Sequence, residues 1–123
     1  MIVGTAATAA MLLAPHFAGR EDEAVAVLHL DRNHRLLATT FPAPAAESGD
    51  LPVRDILAAA LRAGADSVIV ARNHPAGDAN PTEAEREAAR RLADAGRLLE
   101  VRLDDHLVFA AGECRSFREL GLL

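Results

Sequence analysis

The chain has 123 residues, half of them apolar, and this size and composition predict one compact domain over residues 1–123. Its 13 basic and 18 acidic residues give a formal net charge of −5, and it contains neither Tyr nor Trp. Direct binding of nucleic acid is therefore not expected, because phosphates need a concentrated basic surface and unpaired bases need aromatic side chains to stack on.

The start of the chain and its cysteine content predict a cytoplasmic protein. The apolar run from Ile2 to Leu13 lacks the basic region of a signal peptide and is too short to span a bilayer. The single cysteine, Cys114, cannot form an intramolecular disulfide, which fits a reducing compartment. We therefore expect no association with a membrane.

The spacing of apolar residues predicts interleaved helices and strands. In chain order, the predicted elements are a helix over residues 5–13, strands over 23–30 and 35–40, a helix over 51–63, a strand over 67–71, a helix over 82–95, strands over 99–103 and 106–110, and a short helix from Ser116. Pro15 should end the first helix because proline has no backbone donor, and Asp50 should cap the second. Asp104 and Asp105 should form a turn between the last two strands. This order predicts an α/β fold with a mixed sheet between layers of helices.

The segment after the strand over 67–71 has the composition of a metal-binding loop. From Arg72 to Glu85 it reads Arg-Asn-His-Pro-Ala-Gly-Asp-Ala-Asn-Pro-Thr-Glu-Ala-Glu. It resembles the loop of the RadC branch of the JAB/MPN (JAMM) family, in which His-x-His-Pro-x-Gly is followed by Pro-Ser-x-x-Asp. The matching positions are His74, Pro75, Gly77 and Pro81. Arg72 stands where the family has its first His, Thr82 where it has Ser, and Glu85 where it has Asp.

Further matches to this family are spread over almost the whole chain. They are Val3-Gly4-Thr5, Glu23 with Leu30-Asp31 after an apolar strand, Leu103-Asp104-Asp105-His106, and Ser116-Phe117-Arg118-Glu119 with Gly121. The resemblance implies a JAB/MPN fold, a helix/sheet/helix sandwich with a mixed sheet and the layering of cytidine deaminases. It gives Asp105 and His106 a secondary role, in which a carboxylate orients the imidazole or the neighbouring backbone.

The resemblance also implies a zinc hydrolase chemistry. Such enzymes hold zinc with three protein ligands and use the fourth position to activate a water molecule. His74 and Glu85 would be the metal ligands, Glu23 the general base, and Thr82 the stabiliser of the developing oxyanion. Arg72 has a permanent positive charge and no lone pair to donate, so it cannot bind a metal and repels a nearby cation. The sequence therefore argues against a tight zinc site.

Simpler roles for the same residues stay open. Thr82 and Glu85 have the spacing of a capping box at the start of a helix. Glu23 could be a solvated charge beside Glu21 and Asp22. If Arg72 points into the position of the metal, an ion pair with Glu23 or Glu85 would compensate the same carboxylates.

Two functions remain, so whether the chain is an enzyme is left open. In the first, the protein is a RadC-like pseudoenzyme, impaired or inactive as a zinc hydrolase because of Arg72. It is then retained to bind an unknown protein or peptide, or to assemble into homo-oligomers. In the second, it is an active JAMM-type metallopeptidase or isopeptidase that uses Glu23 as the base and His74 and Glu85 as ligands. The loss of one ligand favours the first.

Overall fold

The computed structural model describes residues 1–46 and 49–123. In chain order the elements are α1 (Ala6–Phe17), β1 (Val25–Leu30), β2 (Leu36–Thr40), α2 (Val53–Ala63), β3 (Ser67–Asn73), α3 (Glu83–Leu98), β4 (Arg102–Ala110) and β5 (Glu113–Ser116). The strands form one sheet in the order β2-β1-β3-β4-β5. The β3–β4 pair is parallel and the other pairs are antiparallel, so the predicted mixed sheet is confirmed.

The two faces of the sheet are covered by different helices. Successive side chains of a strand point to opposite faces. Val68 and Val70 of β3 accordingly lie in one apolar cluster with residues of α2 and α3. Ile69 and Ala71 lie in a second cluster with residues of α1. The domain is therefore the predicted helix/sheet/helix sandwich, and within the described residues no helix has the length and apolarity needed to cross a bilayer.

Helix α1 continues past Pro15 and ends at Phe17, so the predicted end of this helix is wrong. Proline removes the hydrogen bond to the carbonyl four residues earlier, which belongs to Met11. Met11 is 78% exposed, so water can replace that bond. In return, the extra turn buries Phe17, whose ring stacks on Phe109 with centroids 4.8 Å apart. Tertiary packing thus outweighs the local rule.

Helix α2 begins at Val53 and has no side-chain cap, so the predicted capping role of Asp50 is also wrong. The Asp50 carboxylate instead accepts a hydrogen bond from the Leu51 amide at 2.8 Å and pairs with Arg91 of α3. The C-terminal end of α2 agrees with the prediction that this helix ends before Gly64. Gly64 ends α2 in the left-handed conformation, with φ of 68°.

The turn predicted at Asp104 and Asp105 is absent, because both residues lie inside the continuous strand β4. The register against β3 shifts at this point, so that Val68 pairs with Leu103 while Ile69 pairs with Asp105. This irregularity is a β-bulge, which adds a residue without breaking the strand.

The chain after β4 also differs from the prediction. Residues 113–116 form the short edge strand β5, which the sequence analysis missed. The short helix predicted from Ser116 is a turn. Its first residue still behaves as a cap, since the Ser116 hydroxyl accepts a hydrogen bond from the Glu119 amide at 3.2 Å.

A close backbone contact explains the glycine near the end of α3. The Gly96 carbonyl accepts a hydrogen bond from the Val101 amide at 2.8 Å, and a Cβ at Gly96 would lie 2.3 Å from the Val101 carbonyl oxygen. We expect Gly96→Ala to lower the free energy of unfolding by about 2 kcal/mol in urea denaturation, although alanine is the better helix former. Gly4→Ala is the control, because no atom lies within 4 Å of its Cβ position. An equal effect at both positions would contradict this explanation.

Candidate functional site

The candidate site lies at the end of the central strand β3. The structure extends this strand beyond the predicted residue 71 to Asn73, so Arg72 belongs to the sheet. Arg72 follows Val68 and Val70 at two-residue spacing and shares their face, the one covered by α2 and α3. His74 follows directly, and its amide donates to the Phe109 carbonyl at 2.8 Å. The loop after His74 then leads into the first turn of α3.

Arg72 is buried, with 7% of its surface exposed, and its guanidinium contacts three groups. Nε donates to Nε2 of His106 at 3.2 Å, and Nη2 donates to the Asp50 carbonyl at 3.4 Å. Nη1 lies 3.6 Å from a carboxylate oxygen of Glu85. Burial lowers the pKa of Arg72, against the attraction of nearby carboxylates, yet an arginine remains charged in proteins. The site therefore contains a fixed, buried positive charge.

Glu85 serves two purposes at once. Its Oε1 accepts a hydrogen bond from the Thr82 amide at 2.9 Å, and the Thr82 hydroxyl accepts one from the Glu85 amide at 3.1 Å. These two bonds form the predicted capping box. Its other oxygen, Oε2, contacts both His74 Nε2 and the Arg72 guanidinium. The capping role and the site role are thus held by different oxygens of one buried carboxylate.

The contacts of His74 determine its protonation. Nδ1 contacts the Asp78 carbonyl, which can only accept, so Nδ1 carries a proton. Nε2 contacts Oε2 of Glu85, and it donates to that oxygen only when the ring carries a second proton. Burial acts to lower the pKa of His74, but the hydrogen bonds to Glu85 and to the Asp78 carbonyl, with the charge of Glu85, outweigh burial and raise it. The protonated form, which these contacts favour, has no lone pair to offer a metal.

His106 is fully buried and acts as the acceptor for Arg72. Because Nε2 accepts the Arg72 hydrogen bond, the neutral ring carries its proton on Nδ1. That nitrogen has no hydrogen-bond partner within the described residues. The ring packs edge to face against Phe117, with centroids 4.3 Å apart. Burial, together with the positive charges of Arg72 and His74, holds the pKa of His106 well below its ordinary value.

The lowered pKa of the buried His106 predicts a fold that is sensitive to acid. The unfolded chain binds a proton at this histidine near its ordinary pKa of 6.5, whereas the folded chain does not. Stability should therefore fall as the pH drops through that value, by about 1.4 kcal/mol between pH 7.5 and 5.5 from this group. Urea denaturation at the two pH values measures the loss. In His106→Gln, which keeps an acceptor but does not titrate, the loss should be smaller by that amount, and an unchanged loss would exclude His106 as its source.

Glu23, the expected general base, lies just before β1 and is exposed. It lines a small cavity of about 20 Å³ together with Arg72, Asn73 and Asp50, which is room for about one water molecule. Its charge acts on Arg72 and opposes the loss of the arginine's proton. The structure thus brings Glu23 to the edge of the pocket, while the Thr82 hydroxyl is engaged in capping α3.

Two residues of the site were missed by the sequence analysis. The Asn73 side chain accepts from the Ala24 amide at 2.8 Å and donates to the Asp22 carbonyl at 2.9 Å, so it fixes the segment that carries Glu23 to the end of β3. Asp50 contributes its carbonyl to Arg72. Asn73 occupies a free position of the motif and Asp50 acts through its backbone, so neither role had a signal in the sequence.

Asp105 lies on the opposite face of the sheet from Arg72, in register with Ile69. Its carboxylate accepts hydrogen bonds from the amides of His106 and Arg118, at 2.8 and 3.1 Å, and from the Ser116 hydroxyl at 2.6 Å. It therefore joins the bulge of β4 to the turn at residues 117–121, the closing turn.

The donor set does not fit a zinc ion. Structural and catalytic zinc sites need at least three protein ligands. Within residues 1–46 and 49–123, no group of three or more His, Cys, Asp or Glu side chains is placed to hold a metal. His74 and Glu85 do lie together, but they bind each other, and the third place is taken by the Arg72 guanidinium.

A mixed sheet between helices, with a His-Pro loop after its central strand and a carboxylate in the next helix, is consistent with a JAB/MPN fold. A model of the RadC-like JAB domain matches residues 3–122. The chain therefore belongs to the RadC-like JAB domain family.

Curated relatives agree with this assignment. The chain is 36% identical to the UPF0758 protein YfjY of Escherichia coli K12 over 107 residues, which are 86% of this chain and 67% of that protein. It is 34% identical to the UPF0758 protein tlr1707 of Thermosynechococcus vestitus over 120 residues, 97% of this chain and 48% of the relative. It is 39% identical to the UPF0758 protein XAC3915 of Xanthomonas axonopodis pv. citri over 105 residues, 85% of this chain and 47% of the relative. The chain thus spans about half to two thirds of the length of these relatives.

Proposed function

We propose that this RadC-like JAB domain is impaired as a zinc hydrolase and is retained as a binding or assembly module. The observation that carries the proposal is the contact of the buried Arg72 guanidinium with the Glu85 carboxylate, at 3.6 Å. A buried carboxylate needs a positive partner. In this chain the partner is a side chain, so the carboxylate is satisfied without a metal.

Loading zinc would require several unfavourable changes at once. Arg72 would have to leave a site in which it is 7% exposed and has three partners. The contact between His74 Nε2 and the Glu85 carboxylate would have to break, so that each could face the metal instead. Zinc would gain only two protein ligands in return, which is below the number that zinc sites use.

The alternative is an active metallopeptidase or isopeptidase with Glu23 as general base, Thr82 as oxyanion stabiliser, and His74 and Glu85 as ligands. It is supported by the position of Glu23, which shares a small cavity with Arg72. For the binding or assembly module we propose a cytoplasmic location. Its partner would be a protein, a peptide or a second copy of the chain. The single cysteine and the acidic net charge are consistent with both.

The deciding experiment is the zinc content of protein purified without chelators or metal columns, measured by inductively coupled plasma mass spectrometry. We expect substoichiometric zinc in the wild type and about one zinc per chain in Arg72→His, since that variant restores a third ligand. Arg54→His is the matched control, because Arg54 lies on the exposed side of α2 and should give no zinc.

The outcomes separate the two functions. Stoichiometric zinc in the wild type would overturn the proposal and favour the active hydrolase. If neither Arg72→His nor the double variant Arg72→His with Glu85→Asp binds zinc while remaining folded, Arg72 is not what prevents metal binding.

A further inference from the structure

We propose that a groove bordered by α3 and the starts of β3 and β4 binds an acidic peptide segment that also carries apolar side chains. The groove has a volume of about 960 Å³. Six of the 13 basic residues of the chain line it. These are Arg32, Arg86, Arg90, Arg97, Arg102 and Arg118. This concentration of arginines on a chain with a net charge of −5 is a local property that the total charge conceals.

The groove is separate from the candidate site. Asp66 and Arg102, at the starts of β3 and β4, lie in its wall, whereas Arg72 is near the end of β3. The groove extends from there along α3 as far as Arg86, the residue after Glu85, but none of the site residues Arg72, His74, Glu85 and His106 lines it. The proposal is thus independent of whether the site binds zinc.

The charges in the groove favour an anionic occupant. Three acidic residues, Asp66, Asp94 and Glu100, line it beside the six arginines, so the lining residues themselves have an excess of three positive charges (six minus three). Three of the arginines form ion pairs on α3, Arg86 with Glu83, Arg90 with Glu87 and Arg97 with Asp94. Arg102 and Arg118 pair with Asp104, and all five arginine side chains are about half exposed or more. Exposed ion pairs of this kind are weak, so these arginines can exchange partners for an incoming carboxylate.

The remaining lining favours a peptide over single-stranded nucleic acid. Ala93, Val101, Leu103 and Leu122 supply an apolar part, which suits Leu or Ile side chains. No aromatic side chain is found among the described lining residues, so bases would have nothing to stack on. Guanidinium groups bind carboxylates through two parallel hydrogen bonds.

The arginines on α3 also set the length of the occupant. Arg86, Arg90 and Arg97 lie along one side of the groove. The distance from the first to the last is about 16 Å at a rise of about 1.5 Å per residue. An extended peptide covers this distance with about five residues at about 3.3 Å each. A segment of five to eight residues with alternating acidic and apolar side chains therefore matches both the charge and the length.

Fluorescence anisotropy with a labelled eight-residue peptide of alternating glutamate and leucine tests the proposal. We expect saturable binding that weakens with added salt, because exposed charges are screened. The double variant Arg90→Gln with Arg97→Gln should bind about tenfold more weakly. The double variant Arg54→Gln with Arg62→Gln removes the same charge from exposed positions of α2 outside the groove, and its affinity should equal that of the wild type.

Two further probes give the results that would overturn the proposal. A peptide of alternating glutamate and serine should bind at least about tenfold more weakly, since it cannot fill the apolar part. Equal binding of that peptide would show that charge alone attracts the ligand. A ten-nucleotide oligothymidylate that binds more tightly than the glutamate-leucine peptide would make the groove a nucleic-acid site, and equal losses in the two double variants would place the peptide elsewhere.

Discussion

Replacement of Arg72 by Met should lower the free energy of unfolding by about 3–5 kcal/mol, because removing one partner of a buried ion pair leaves the other charge uncompensated. Methionine fills similar space but donates no hydrogen bond. Glu85 would keep only His74 as a positive partner, and Nε2 of His106 would lose its donor. Urea denaturation at pH 7.5 measures the effect, which is one of the largest expected from a single substitution in this chain.

The matched control for this prediction is Arg91→Met. Arg91 also pairs with a carboxylate, that of Asp50, but half of its side chain is exposed. Its loss should cost less than about 1 kcal/mol, since exposed ion pairs contribute little. If Arg72→Met costs no more than Arg91→Met, the guanidinium is not the compensating charge of the pocket. The double variant Arg72→Met with Glu85→Gln should recover part of the loss, because no unpaired charge then remains.

The fold could be predicted from the sequence where local and tertiary preferences agree. The apolar runs of β1 and β3 are buried on both faces of the sheet, and such runs are typical of strands covered by helices on both sides. The end of α2 at Gly64 followed from the left-handed conformation that glycine tolerates. The family resemblance placed these elements in the correct architecture.

The predictions for α1 and β4 were wrong because contacts between residues distant in sequence outweigh the local preference there. Proline disfavours continuation of α1, but the burial of Phe17 against Phe109 favours it. Two consecutive aspartates indicate a turn, but here one is bonded to Ser116 and Arg118 and the other to Ser67 and Arg102. The sequence of β4 does not show that these distant residues bond to the two aspartates. The bulge could therefore not be predicted from the strand alone.

In the candidate site, too, some contacts could be predicted from the sequence and others could not. The ion pair of Arg72 with Glu85 was a hypothesis from the motif, and the structure contains it. The hydrogen bond from Arg72 to His106 joins residues 34 positions apart and had no signal in the sequence. The roles of Glu23, Thr82, His74 and Glu85 in catalysis or metal binding stay predictions, and the zinc measurements above address them.

The second large effect is expected for Asp105→Ala, which should lower the free energy of unfolding by about 4 kcal/mol. Asp105 is 4% exposed, and its carboxylate is the acceptor for two amides and one hydroxyl. Alanine would leave these donors without a partner, and a buried unsatisfied donor costs about 1–3 kcal/mol. Urea denaturation gives the total loss. Hydrogen exchange should show its location, as faster exchange in β5 and the closing turn, residues 113–121.

Asp105→Asn separates the hydrogen bonds from the charge of this side chain. Asparagine keeps an oxygen for the amides of His106 and Arg118, and its amide group can donate to the Ser116 hydroxyl, which also accepts. We therefore expect a loss of about 1–2 kcal/mol, well below that of the alanine variant. If the two variants are equally unstable, the negative charge rather than the hydrogen-bond geometry holds the closing turn to β4. Since the Asp105 carboxylate also accepts from the His106 amide, Asp105→Ala should in addition loosen His106, the residue that accepts the hydrogen bond of Arg72 on the other face of the sheet.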